Sequence, residues 1–138
     1  MSLSIDGIDH LVLNVADVEA SAAWYVRALG MRRVDFESRT GLRVAVQFGQ
    51  QKINLRPADA DTVEWFTGVA PVPGSGDLCF VTTLSPDAVK AYWLAEGIAI
   101  EAGPVPRSGA RGAMTSVYCR DPDGNLIEVA TYPDEAQP

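Results

Sequence analysis

Four polar side chains stand at matching places in two stretches of the chain: His10, Asn54, Asp77 and Glu128. His10 opens the apolar run at residues 8–15, and Asp77 opens a similar run at 77–83 just after Gly76. Asn54 lies between Ile53 and Leu55, and Glu128 between Ile127 and Val129. Along a strand, successive side chains point to opposite faces, so each polar group turns away from its large apolar neighbours. A carboxylate in such surroundings is costly unless it is paired or bound to a cation. One imidazole and two carboxylates facing one another suit a divalent metal, because the two negative charges offset the +2. Each residue taken singly has an ordinary reading: a surface or satisfied histidine, a turn aspartate after Gly-Ser-Gly, a glutamate on a solvated sheet face.

What joins them is an apparent repeat. In the first half, a strand at 8–15 is followed by a helix with Asp17 as N-cap and Val18, Ala22, Tyr25, Val26 and Leu29 at helical spacing. Gly30 supplies the stop, and strands follow at 31–37, 42–48 and 52–56. The stretch 57–76 holds three prolines and reads as a linker with one short turn around 63–67. The pattern then restarts with a strand at 77–83 and a helix capped by Ser85-Pro86 and ended by Gly97. A strand begins at 98–101, and a loop rich in Gly, Pro and Arg is expected over 103–112. Strands at 114–120 and 125–131 are joined by Asp121-Pro122-Asp123-Gly124, a strong turn signal. The tail from Pro133 is polar and is expected to fray. The fold class is therefore α+β: two tandem βαβββ modules whose curved sheets surround one metal and ligand cavity. The expected domain spans residues 5–132, with modules at about 5–56 and 77–132 and the linker between them. An unrelated α+β sandwich with alternating elements is the alternative.

The bulk properties remove several function classes. The chain has 138 residues, 47% hydrophobic and 21% charged, which suits one ordinary folded domain. Its net charge, 11 − 18 = −7, repels phosphate backbones, so no nucleic-acid partner is expected. No apolar run approaches the roughly 20 residues of a membrane span. The N-terminus has no basic region followed by an apolar stretch, which points to a cytoplasmic protein. Cys79 and Cys119 lack metal or redox spacing and read as isolated buried thiols.

The segment Ile8-Asp9-His10-Leu11-Val12-Leu13-Asn14-Val15, followed by Ala23-Trp24-Tyr25-Val26-Arg27-Ala28-Leu29-Gly30-Met31, resembles the opening of vicinal oxygen chelate proteins. These are the glyoxalase I, bleomycin-resistance, fosfomycin-resistance and extradiol dioxygenase proteins. The closing segment from Val117 to Glu128, with its Asp-Pro-Asp-Gly-Asn, resembles the most recognisable stretch of that superfamily. The likeness is strongest to the glyoxalase domain-containing protein 5 type, including virulence-associated glyoxalase-like proteins. It is carried by Asp77-Leu78-Cys79 and Gly103-Pro104-Val105-Pro106-Arg107.

The resemblance implies one divalent ion held by His10, Asp77 and Glu128, with Asn54 where many glyoxalases carry Glu or Gln. Asp77 replaces a histidine of many relatives. That makes the donor set harder and favours Mn, Fe, Mg or Ni over Zn. By the same resemblance Tyr118 falls at a substrate-contacting, catalytic position. Asn54, Arg107 and Arg111 are candidate substrate-binding residues, the two arginines as clamps for an anion. The implied activity is glyoxalase-like lyase or isomerase chemistry on a small molecule whose vicinal oxygens chelate the metal. Extradiol-type ring cleavage and fosfomycin-type epoxide opening are alternatives within the enzymes, and a bleomycin-resistance-like sequestering protein is the alternative outside them. A homodimer is implied as well. Trp65, Phe66, Val69 and Val72 in the linker either form part of its interface or cover the core of their own chain.

Overall fold

A computed structural model describes residues 1–137. The chain divides into two compact units, Met1–Pro73 and Gly74–Pro138. The first contains β1 (His10–Val15), α1 (Val18–Leu29), β2 (Arg32–Ser38), β3 (Gly41–Phe48) and β4 (Gln51–Pro57). The second contains β5 (Asp77–Val81), α2 (Pro86–Ala95), β6 (Ala102–Gly109), β7 (Gly112–Arg120) and β8 (Leu126–Thr131). Each unit is thus a βαβββ module with the same wiring. The strand orders are β1-β4-β3-β2 and β5-β8-β7-β6. In both, the first strand pairs in parallel with the last, and the remaining ladders are antiparallel.

Local chemistry fixes the helices where the sequence places them. The Asp17 carboxylate accepts from the Ala20 amide, satisfying one of the free N–H groups of the first turn of α1. Gly30 ends the helix at φ 64°, a left-handed conformation that glycine adopts without a Cβ penalty. Ser85 caps α2 in the same way through the Ala88 amide, with Pro86 in its first turn. The buried face of α1 is Ser21, Ala22, Trp24, Tyr25 and Ala28, while Val26 of the expected apolar stripe is exposed. The helix is rotated from that expectation because the small Ser21 and Ala28 permit close approach and the two large aromatics fill the space. α1 packs on β2, β3 and β4 over a core that includes Val15, Ile53 and Leu55. α2 packs on β6, β7 and β8 with Val89 and Trp93 inward.

Three expectations fail. The strand expected to begin at 98–101 starts only at Ala102. The Gly- and Pro-rich segment at 103–112 is not a loop: residues up to Gly109 form β6, an antiparallel partner of β7. β6 is an edge strand, where prolines without N–H groups cost no ladder bond to a further neighbour. A register shift between Ala102 and Val105 absorbs the irregular part. Gly103 sits there at φ 101°, and a Cβ on it would collide with the Ser116 carbonyl. The tail is not frayed from Pro133 through Gln137, and Pro138 lies outside the described residues. It forms a 3-10 turn at Pro133–Glu135, Arg111 pairs with Glu135, and Ser85 N donates to Gln137 O at 2.8 Å.

Arg56, with the bond from Ala58 N–H to the Val15 carbonyl, ties the start of the linker to the first unit. Arg56 is fully buried and donates to the carbonyls of Trp65, Ala60 and Pro57 and to Asn14 Oδ1 at 2.8–3.2 Å. This holds Trp65 half-buried under the Arg43 guanidinium, 3.7 Å from the ring centroid. Phe66, Val69 and Val72 remain exposed.

Candidate metal centre

In the first unit, register places Val12 beside Asn54 and Asn54 beside Ala45, all on the sheet face turned away from α1. His10 is on that face too, two residues before Val12. The His10 ring is accessible, and its Nδ1 lies 2.8 Å from Asp9 Oδ1. An ionised carboxylate only accepts hydrogen bonds, so in the neutral imidazole this contact favours the tautomer with the proton on Nδ1 and the lone pair on Nε2. Asn54 is half-buried, and its Oδ1 is shielded from solvent with no hydrogen-bond partner.

The second unit repeats the geometry with different chemistry. Cys79 pairs with Glu128, and Glu128 with Tyr118, on the face away from α2; Asp77 shares that face two residues before Cys79. Glu128 Oε2 is shielded and has no partner, at the position equivalent to Asn54. Two equivalent places therefore hold an oxygen stripped of water and unmatched by any donor, which nearly all buried polar atoms avoid. Tyr118 Oη accepts from Arg107 Nε at 2.9 Å, and the guanidinium lies 5.3 Å from the ring centroid. Burial raises the Tyr118 pKa first; the Arg107 hydrogen bond lowers it, and the neighbouring Glu128 raises it again.

Arg107 and Tyr118 thus meet on the same face as Glu128, whereas Arg111 is engaged elsewhere. Its guanidinium pairs with Glu135 at 2.8 Å and stacks on Tyr132, 4.2 Å from the centroid. Cys79, expected to be buried, is exposed, and only Cys119 is inside. Desolvation on the sheet, then Glu128 and Asp77, push the Cys79 thiol up to about 11. Burial pushes Cys119 up to about 12. Two residues of the site were missed in the sequence: Asp9, whose signal is simply a carboxylate adjacent to the only histidine, and Cys79, whose signal is strand parity with Asp77.

Among the described residues, no three His, Cys, Asp or Glu side chains gather within ligating reach. His10 and Asn54 belong to the first unit, Asp77 and Glu128 to the second. The donor chemistry nevertheless fits a hard divalent ion. Taken unit by unit, the donor types are an imidazole and an amide with an orphaned shielded oxygen in the first, and a carboxylate with an orphaned shielded oxygen beside an accessible carboxylate in the second.

Comparison with known proteins agrees with the module architecture. The chain is 43% identical over 132 residues to virulence protein STM3117 of Salmonella typhimurium, covering 96% of this chain and 88% of that one. It is 41% identical over 132 residues to the glyoxalase domain-containing protein RDO1 of Mycosarcoma maydis, covering 96% and 72%. The crystal structure of lactoylglutathione lyase from Agrobacterium tumefaciens matches with a TM-score of 0.71 and 26% identity, over 93% of this chain and 95% of that one. Residues 7–129 match the family model described as Glyoxalase/Bleomycin resistance protein/Dioxygenase superfamily, and with its paired βαβββ modules the chain belongs to that superfamily.

Proposed function

We propose that this protein is a metal-dependent enzyme of the glyoxalase-like type, acting on a small molecule whose adjacent oxygens chelate a divalent ion. Members of the superfamily typically hold such an ion and bind small molecules. The observation that carries the reading is the pair of orphaned shielded oxygens, Asn54 Oδ1 and Glu128 Oε2, at equivalent positions of the two modules. His10, Asp77 and Glu128 are the proposed ligands, with residues 5–132 acting as one functional domain and a homodimer as its assembly.

His10, Asp77 and Glu128 would hold the ion, which when bound would supply Lewis-acid polarisation of the substrate oxygens. The chain's own residues do the rest. Asp9 keeps the His10 Nε2 lone pair available. The Arg107 N–H occupies a lone pair of Tyr118 Oη, which orients the phenolic proton away from the guanidinium and toward a ligand on the Glu128 face. Tyr118 is the proposed proton donor or hydrogen-bond donor to substrate, and Asn54 a neutral substrate contact. The exposed Arg111 carries the weakest case as an anion clamp, since Glu135 already neutralises it. A lyase or isomerase reaction is favoured by the lactoylglutathione lyase likeness. No helix among the described residues is long and apolar enough to cross a membrane, and a cytoplasmic site of action accords with that.

The test is elemental analysis of protein purified without chelator, together with calorimetric titration by Mn²⁺, Fe²⁺, Ni²⁺ and Zn²⁺. Binding tighter than about micromolar, with Mn²⁺, Fe²⁺ or Ni²⁺ retained in preference to Zn²⁺, is the expected result. If none of the four binds that tightly, the enzyme reading fails and sequestration of a ligand takes its place.

A further inference from the structure

The sheet face of the first unit that carries His10 and Asn54 has an unusual charge pattern for so acidic a chain. The register of the four strands places Arg32, Arg43, Lys52 and Arg56 on it and no Asp or Glu at all. The net charge of the whole protein is −7, so carboxylates are not scarce. Elsewhere three arginines pair with them: Arg33 with Glu19 and Asp35, Arg111 with Glu135, Arg120 with Glu101. On this face the cations are instead held by aromatic rings and neutral groups. Lys52 Nζ lies 3.9 Å from the Phe36 ring centroid, and the Arg43 guanidinium lies 3.7 Å from that of Trp65.

A ring fixes the position of a cation without cancelling its charge or using up its hydrogen bonds. Arg43 Nε is shielded from solvent and has no acceptor, so one strong donor is left unmatched there. Phe36 and Arg43 are register partners, so the stacked Lys52 ammonium and the Arg43 guanidinium share one neighbourhood. Lys52 is in turn the register partner of His10. Arg56 is not available, because Asn14 and three backbone carbonyls saturate it. The nearby Asp61 carboxylate is itself held by the Val63 and Glu64 amides.

We infer that this face reads a negative charge on the substrate: Lys52 and Arg43 receive a carboxylate or similar oxyanion of it. The inference rests on the proposed function for the placement of the substrate, and it narrows that substrate to an anion whose charged group stands apart from its chelating oxygens; pyruvate serves as a small carboxylate probe of the cationic face. Charge-assisted bonds to an oxyanion satisfy the orphaned Arg43 donor and the two unpaired cations together.

The experiment uses the metal-free protein, so that it is independent of metal binding. Pyruvate and its uncharged amide, pyruvamide, are titrated against the ¹⁵N-labelled chain by NMR at low salt. Pyruvate is expected to shift resonances of β1, β3 and β4, with an affinity reduced about tenfold in Lys52→Gln and in Arg43→Gln, and pyruvamide to shift them far less. Lys52→Gln removes an accessible charge and keeps the test valid should Arg43→Gln unfold. Equal response to the two probes, or unchanged pyruvate affinity in Lys52→Gln, overturns the inference. A change in sedimentation of Lys52→Gln with pyruvate affinity intact also overturns it, reassigning the cations to a protein interface. A wild type that binds pyruvate through Lys52 yet fails the separate Mn²⁺ titration removes the metal reading and leaves the anion site standing.

Discussion

The two modules share one wiring and diverge at the positions that do chemistry. Asn54 of the first stands between Val12 and Ala45; its equivalent, Glu128, stands between Cys79 and Tyr118. The face around Asn54 carries cations and no carboxylate, and the face around Glu128 carries Asp77 and Glu128 themselves. The helix-facing side of both sheets is an ordinary apolar core, where identity of size and shape matters more than chemistry. A repeated fold thus keeps the residues that build the sheet and lets the opposite face diverge: cations without carboxylates in one copy, carboxylates beside Arg107 in the other.

The largest expected effect breaks this comparison at its acidic end. Glu128→Gln removes the only charged member of the orphaned pair, and Mn²⁺ affinity measured by calorimetry should fall by more than about a hundredfold, beyond the range typical of outer-shell groups. The fold should survive, because the amide preserves the shape. Unchanged Mn²⁺ binding in this variant would place the ion elsewhere.

Cys79 gives a sharper probe of the same face. Exposure alone would make it the reactive thiol of the pair, but its pKa is raised from 9.0 to about 11. A raised thiol pKa means the neutral form is favoured, so at pH 8 alkylation by iodoacetamide should run about a hundredfold slower than for a free thiol, and quicken as pH approaches 11. Glu128→Gln should accelerate it at fixed pH. The same sign governs stability: the folded state holds the Cys79 proton more firmly, so this contribution is complete below pH 9 and is lost as pH rises toward 11.

Making the two modules alike is the reciprocal test. Asn54→Glu places a carboxylate on the cationic face, and Mn²⁺ affinity should rise about tenfold if the amide oxygen belongs to the site. A fall, with loss of thermal stability, would show that Asn54 serves only its own sheet.

The smallest effect is expected at Asp9. With a single histidine in the chain, the ¹⁵N spectrum of the ring is unambiguous. The wild type should show the proton mainly on Nδ1, and Asp9→Ala should shift it toward Nε2 and weaken Mn²⁺ binding by up to about tenfold. An unaltered tautomer balance would mean that the Asp9 contact is incidental.

Sequence alone determined the module grammar. Caps at Asp17 and Ser85, stops at Gly30 and Gly97, and the Asp121-Pro122-Asp123-Gly124 turn act within a few residues, so they are legible without knowing what packs on what. Period-two alternation likewise set Glu128 and Asp77 opposite their apolar neighbours. Tertiary structure decided the rest. The Pro-rich segment became β6 because an edge strand needs no donor on its free side, a property of sheet order that no local pattern carries. The tail was fixed by pairing with residues about fifty positions earlier. The cationic face, the orphaned oxygens and the Arg107–Tyr118 contact arise from register between strands that are distant in sequence. Lateral pairing, not spacing along the chain, chooses which side chains meet, and so the chemistry of each face appears only when the sheets are assembled.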